Sequence, residues 1–119
     1  LATCTGTLTL VWSLSSCSIS ARLGRPSGGI HRANILGVAF CHAHLGMYLA
    51  TSDAVGKIVV WNVRQQASER VSDRTGAVYD VKFSQDGERL FSCADDGVIL
   101  VWNWRKGMNT FSPRWLYSL

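Results

Sequence analysis

Apolar residues along this chain come in short bursts, and the bursts recur. Three of them, "TLTLVWSL" (Thr7–Leu14), "KIVVWNV" (Lys57–Val63) and "VILVWNW" (Val98–Trp104), are organised around Trp12, Trp61 and Trp102. These tryptophans lie 49 and 41 residues apart. The last two bursts also share a preamble: a segment ending in Phe, a turn, a run of small residues and a second turn. A period of ~40–45 residues is that of a repeated unit of four antiparallel strands.

The third unit shows the order most clearly. Ala77–Phe83 ("AVYDVKF") is predicted as a strand, Ser84–Gly87 ("SQDG") as a turn and Arg89–Ala94 ("RLFSCA") as a second strand. Asp95-Asp96-Gly97 makes a tight hairpin into the Trp strand Val98–Asn103, because Gly accepts positive φ without penalty. The second unit repeats this with Ile35–Phe40, Met47–Ser52 and Lys57–Val63. Its apolar positions Ile35, Val38 and Phe40 match Val78, Val81 and Phe83. That spacing breaks simple alternation, and one bulged residue in each strand restores it. The first unit is incomplete, with Leu1–Thr3 and Thr7–Leu14. Ser18–Leu23, Ser68–Ser72 and Arg114–Ser118 are the candidate outer strands, and "GRPSGG" (Gly24–Gly29) is a long flexible connection. No segment carries a 3.6-residue apolar period, so the expectation is an all-β chain.

Composition supports a folded chain. Hydrophobic residues make up 47% and charged residues 17% of the 119 positions, which argues against disorder. The net charge of +4 is unevenly distributed, with no carboxylate side chain before Asp53. Arg22, Arg25 and Arg32 therefore stand unopposed, a feature that suits acidic or phosphate-bearing partners. They neither cluster nor interleave with aromatics, so a solvated loop is the simpler reading. Cys4, Cys17, Cys41 and Cys93 form no CxxC pair and read as thiols of a reducing compartment. No apolar stretch approaches the ~18–20 residues of a membrane span. The expected location is intracellular, and the start at Leu1 inside a repeat suggests a segment of a longer protein.

The pattern resembles the WD-repeat β-propeller family. "VYDVKFSQDGERLFSCADDGVILVWNW" is close to that family's consensus, the second copy is recognisable, and the first is marginal. The resemblance implies antiparallel four-stranded blades of an incomplete propeller: a partial first blade at 1–29, a second at 30–73 and a third at 74–119. It also implies a buried hydrogen-bond chain of Trp, a strand Ser or Thr, a loop His and a turn Asp in each blade. The third copy offers Trp102, Ser92 and Asp96 but Arg74 in the His position. The second offers Trp61, Thr51 and His31 but Val55 in the Asp position. Both chains are expected to be broken, and the blades less rigid for it, because a buried polar network helps only when every member is partnered. Propellers need roughly four to eight blades, so the rest of its own propeller is an expected partner.

Two clusters have the residue types that metal binding or nucleophilic catalysis needs. Cys41, His42 and His44, with His31, are soft ligands of the kind zinc takes, but the loop spacing does not make them converge, and no metal or cofactor is expected. Ser92 or Ser52 as a nucleophile would need His31 and Asp96, which come from different blades. No enzyme is expected. The resemblance instead implies a protein-interaction scaffold, with Leu36, Gly37, Ala54, Tyr79, Asp80 and Asp95 on the top surface. Tyr79, Asp80 and Asp95 are the candidate partner contacts. Leu90–Arg105 also resembles the box that docks some WD-repeat substrate receptors onto a cullin-RING ubiquitin ligase, with Arg105 and its counterpart Arg64 as docking residues. Asn62 and Asn103 depart from that box. A nucleic-acid-associated WD-repeat subunit is the remaining alternative.

Overall fold

The computed structural model describes residues 1–13, 15–24, 30–43, 47–74 and 76–105, together with the backbone of the strand Arg114–Ser118. Every regular element among them is a strand: β1 (Ala2–Thr5), β2 (Leu8–Ser13), β3 (Ser18–Leu23), β4 (Ile35–Cys41), β5 (Tyr48–Asp53), β6 (Lys57–Asn62), β7 (Ala67–Asp73), β8 (Val78–Phe83), β9 (Leu90–Ala94), β10 (Val98–Trp102) and β11 (Arg114–Ser118). They form three antiparallel sheets, β1-β2-β3, β4-β5-β6-β7 and β8-β9-β10-β11. Short links force this meander, since a tight turn can only return a chain antiparallel to itself. Gly97, at φ 74°, closes the β9–β10 turn with its N–H on the Ala94 carbonyl at 3.0 Å.

The bulge inferred from apolar spacing is present twice. Pairing slips between Ile35 and Gly37 on β4 and between Val78 and Asp80 on β8. Leu36 and Tyr79 are the extra residues, and both are exposed. The outer strands at Ser18–Leu23 and Arg114–Ser118 match expectation, and β7 is one residue longer at each end than the expected Ser68–Ser72. One boundary differs with consequence: β5 runs on to Asp53 rather than stopping at Ser52. Of the connection Gly24–Gly29, residues 25–29 lie outside the described residues.

Blade 2 is buried on both faces. Leu49, Val59 and Trp61 pack on Val11, Ala21 and Leu23 of blade 1. Ala50, Ile58 and Val60 pack on Val78, Val81, Leu90, Ala94 and Trp102 of blade 3. Alternation along β5 and β6 sends successive side chains to opposite seams. Each large aliphatic side chain so buried contributes about 1.5–3 kcal/mol.

The second seam is close because position 37 is glycine. A Cβ there would stand 2.6 Å from Ser52 Oγ and 2.8 Å from Asp80 Cα, so β4 and β8 could not approach as they do. Ser52 Oγ also donates to the Val78 carbonyl at 3.0 Å, which stitches blade 2 to blade 3.

Candidate functional site

The buried polar residues assemble into one network per blade. In blade 2, Trp61 Nε1–H donates to Thr51 Oγ1 at 2.8 Å. Thr51 Oγ1 meets His31 Nε2 at 2.5 Å, and His31 Nδ1 meets Asp53 Oδ2 at 2.7 Å. Asp53 Oδ1 accepts the N–H groups of Val55 at 3.0 Å and Lys57 at 2.9 Å. The bonds assign a neutral imidazole: Nδ1–H donates to the carboxylate, and Nε2 accepts the one hydroxyl proton that Thr51 has to give. Burial pushes the His31 pKa below its ordinary value, against the raising effect of Asp53. The network ties the linker before β4 to β5, β6 and the turn between them.

This corrects the expectation that the chain in blade 2 is broken at Val55. Asp53, two residues earlier, supplies the carboxylate, because β5 extends to it and alternation puts it on the same strand face as Thr51. Val55 is exposed and takes no part in the network.

The second broken chain is also corrected. In blade 3, Arg74 occupies the His position and reaches both ends of the gap. Its Nη1 donates to Ser92 Oγ and to the Ser92 carbonyl, each at 3.1 Å. Its Nη2 donates to Asp96 Oδ1 at 2.8 Å and Oδ2 at 2.9 Å, and to the Val98 carbonyl at 3.2 Å. Trp102 Nε1–H donates to Ser92 Oγ at 2.7 Å. The guanidinium fork spans what the His31 ring spans in blade 2, hydroxyl on one side and carboxylate on the other, since it has donors on two nitrogens at fixed geometry. Burial opposes ionisation of Asp96, but the Val98 N–H and Arg74 outweigh it and hold the carboxyl below its usual range. No buried side-chain polar atom among the described residues lacks a partner.

Sequence reasoning placed His31, Thr51, Trp61, Ser92, Asp96 and Trp102 in these networks, and the structure brings each into one of them. It missed Asp53 and the bonding of Arg74, although the even spacing of Thr51 and Asp53 and the donor count of arginine were both readable. It also missed Trp104. That indole is buried and donates to the Gly87 carbonyl at 3.0 Å. Its ring meets Tyr48 and Phe83 edge-on at 5.1 and 5.7 Å.

The bulges position the second set of candidates. Tyr79 stands on the β8 bulge, 53% exposed, and its hydroxyl donates to Asp95 Oδ1 at 2.8 Å across the β9–β10 turn. That bond raises the Tyr79 pKa. Asp80 Oδ1 accepts the Val81 N–H at 2.9 Å, and its side chain is exposed beside Tyr79. Leu36 and Ala54 are exposed as expected, whereas Gly37 is buried in the seam against Asp80 rather than facing outward.

Arg105 and Arg64 sit in different surroundings. The Arg105 guanidinium lies over Trp104 at 5.4 Å and Tyr48 at 5.8 Å and approaches Glu88 at 4.0 Å. Arg64 is exposed in the turn between β6 and β7.

The remaining candidates have other occupations. Cys41 is buried at the end of β4, His42 is exposed, and His44 lies outside the described residues. Among the described residues no three His, Cys, Asp or Glu side chains converge on a point. None of the four cysteines is in a disulfide. Ser92 Oγ accepts from Trp102 and Arg74 in the blade 3 network, and Ser52 Oγ donates across the seam to Val78. No helix among the described residues is long and apolar enough to cross a membrane.

Comparison with known proteins agrees with this geometry. The family model "WD domain, G-beta repeat" matches residues 68–103. Two curated relatives, the polyadenylation factor subunit 2 of two Cryptococcus neoformans var. neoformans serotype D strains, JEC21 and B-3501A, are 28% identical over 68 residues. Each match covers 57% of this chain and 10% of the relative. The crystal structure of the Myceliophteria thermophila Cps50 (Swd1) β-propeller domain superposes with a TM-score of 0.76 at 15% identity, over 94% of this chain and 33% of that one. The chain thus spans about a tenth of the curated relatives it matches and a third of the solved propeller. Repeating sheets, tryptophan-anchored networks and the shared fold agree with the matching repeat model: residues 68–103 are similar to a WD repeat, and the chain has the fold of a β-propeller segment.

Proposed function

We propose that the chain is a non-catalytic, intracellular protein-interaction scaffold whose partner contacts centre on Tyr79, Asp80 and Asp95. The observation that carries this reading is the division of labour among polar groups. Those in the interior are consumed by the Trp networks, while Tyr79 and Asp80 at the β8 bulge and Asp95 on the adjacent turn are exposed. A Tyr pre-oriented by a hydrogen bond loses little conformational freedom on binding and supplies an aromatic anchor with a polar tip. On this reading further blades of its own propeller complete the disc.

Two other readings stand beside it. The ligase-receptor reading is disfavoured by the packing of Arg105 on Tyr48 and Trp104, which gives that side chain a structural task. A nucleic-acid-associated role draws on the printed name of the relatives, a polyadenylation factor subunit. A photo-crosslinking residue at Tyr79, with a control at Gln65 on the opposite turn, tests the main proposal in cells. Protein adducts specific to position 79 are expected. Equal labelling at both positions, or adducts only with RNA, would defeat it.

A further inference from the structure

We infer that the rim over the seam between blades 2 and 3 docks a segment of a partner protein that presents an apolar, a basic and an apolar side chain in that order. The inference rests on the Tyr79 rim being a protein contact and adds what that contact selects.

Blade 2 shows which exposure belongs to the rim itself, because both of its faces are covered by neighbouring blades. Leu36 is nevertheless 44% exposed and Val55 64%. Leu36 is the extra residue of the β4 bulge, where the ladder leaves its side chain unpaired. The Val55 side chain is free of the blade 2 network, since Asp53 supplies the carboxylate there. A polar residue would serve the fold as well at either position.

Tyr79 and Asp95 hold the corresponding places on blade 3. Tyr79 is the bulged residue of β8 as Leu36 is of β4. The Asp95 N–H donates to the Ala77 carbonyl at 2.9 Å, just as the Ala54 N–H donates to the Asn34 carbonyl at 3.0 Å. Ala54 is exposed in the fully flanked blade, so the exposure of Tyr79 and Asp95 follows from their position on the rim.

Close approaches join these residues into one surface. A Cβ on Gly37 would lie 2.8 Å from Asp80 Cα, which sets Leu36 beside Tyr79. Tyr79 Oη–H donates to Asp95 Oδ1 at 2.8 Å. A Cβ on Gly76 would lie 3.3 Å from Asp95 Cβ, and one on Gly56 2.8 Å from the Gly76 carbonyl, which continues the surface to Val55. The order along it is aliphatic, aromatic with a carboxylate, aliphatic.

That order defines the occupant. Leu36 and Val55 gain free energy when another apolar group takes them out of water. Asp95 keeps Oδ2 after accepting from Tyr79, and among the described residues no cation pairs with it. Lys57 lies 4.0 Å from Asp73 instead, and Arg74 lies 2.8 Å from Asp96. A Lys or Arg laid over the Tyr79 ring meets the ring face and the Asp95 carboxylate together. An acidic side chain would set like charge against Asp95.

Selection of phage-displayed random peptides on the immobilised chain tests this. Enriched peptides are expected to share a Lys or Arg with an apolar residue on each side. Measured by fluorescence anisotropy, Asp95→Asn should weaken such a peptide about two- to fivefold, the size of an exposed ion pair. Leu36→Ser and Val55→Ser should each weaken it about fivefold. Selection on Asp95→Lys should replace the basic residue by Asp or Glu. If that variant loses its strand circular dichroism, Asp95→Asn decides, since it keeps an acceptor for Tyr79. Peptides lost on Tyr79→Ala but lacking a basic residue, or indifferent to the Asp95 change, overturn the inference and leave the rim as a contact. Peptides indifferent to Tyr79→Ala defeat both readings, and a selection that enriches nothing overturns the inference.

Discussion

Arg74→Ala is the sharpest perturbation of the blade 3 network. It removes five N–H contacts at once: two to Ser92, two to Asp96 and one to the Val98 carbonyl. The two ends of the side chain differ in solvent access. Asp96 is 44% exposed, so water takes over much of what Arg74 gives it, and that end counts for about 0–1 kcal/mol. The other end is dry, and losing charge-assisted bonds to Ser92 and the Val98 carbonyl costs about 1.5–3 kcal/mol. A loss of about 3 kcal/mol follows, a large share of the ~6–15 kcal/mol that a domain of this size possesses. Urea unfolding followed by tryptophan fluorescence at fixed protein concentration measures it. Arg74→Lys should recover less than half, because an ammonium lacks the fork that spans both partners. A double-mutant cycle with Asp96→Asn should show coupling below about 1 kcal/mol. If Arg74→Ala unfolds within about 0.5 kcal/mol of wild type, as ordinary surface changes do, the network does not hold the blade and the reasoning fails.

Three further outcomes are expected. Asp53→Asn should cost about 2–3 kcal/mol by removing the carboxylate that receives His31 and two backbone N–H groups, while Val55→Asp at the family's usual position should change stability by less than about 0.5 kcal/mol; the reverse ranking in chemical denaturation would show that Asp53 has been misplaced. Because folding depresses the His31 pKa, the unfolded chain binds its proton more readily. Stability should therefore be full above the unfolded value of about 6.5 and fall as pH drops below it, a trend that His31→Gln should flatten; stability rising on acidification in that window would refute the neutral imidazole. Gly56→Ala should destabilise by about 3 kcal/mol or more, since its Cβ would lie 2.0 Å from the Arg74 carbonyl at φ +105°. Gly6→Ala, with nothing within 4 Å, should cost about 1 kcal/mol, and equal thermal shifts for the two would contradict the close approach at Gly56.

The strands were legible because each apolar burst is bounded by turn residues and repeated. Even the bulges at Leu36 and Tyr79 followed from one misfit in apolar spacing. The networks were legible in membership but not in completeness. Reading the family pattern column by column treated Val55 and Arg74 as losses. The physical requirement is a carboxylate or a donor in reach of the gap, not a letter in a column. Asp53 meets it by sharing a strand face with Thr51, and Arg74 by length and by donors on two nitrogens. Trp104 was missed for a related reason. It follows the repeated tryptophan by two residues, and its partners Tyr48 and Phe83 belong to different blades, so only the assembled seam shows what it covers. Gly37 erred the other way, since its role depends on how closely β8 approaches.

The central claim is that tryptophan side chains anchor stacked blades through buried hydrogen bonds. Hydrogen exchange at the indole N–H groups of Trp61 and Trp102, observed by nitrogen-15 NMR, tests it most directly. Both should be strongly protected, and protection at Trp102 should collapse in Arg74→Ala while Trp61 keeps most of its own. Exchange of both indoles at the rate of free tryptophan in the folded wild type would contradict the account.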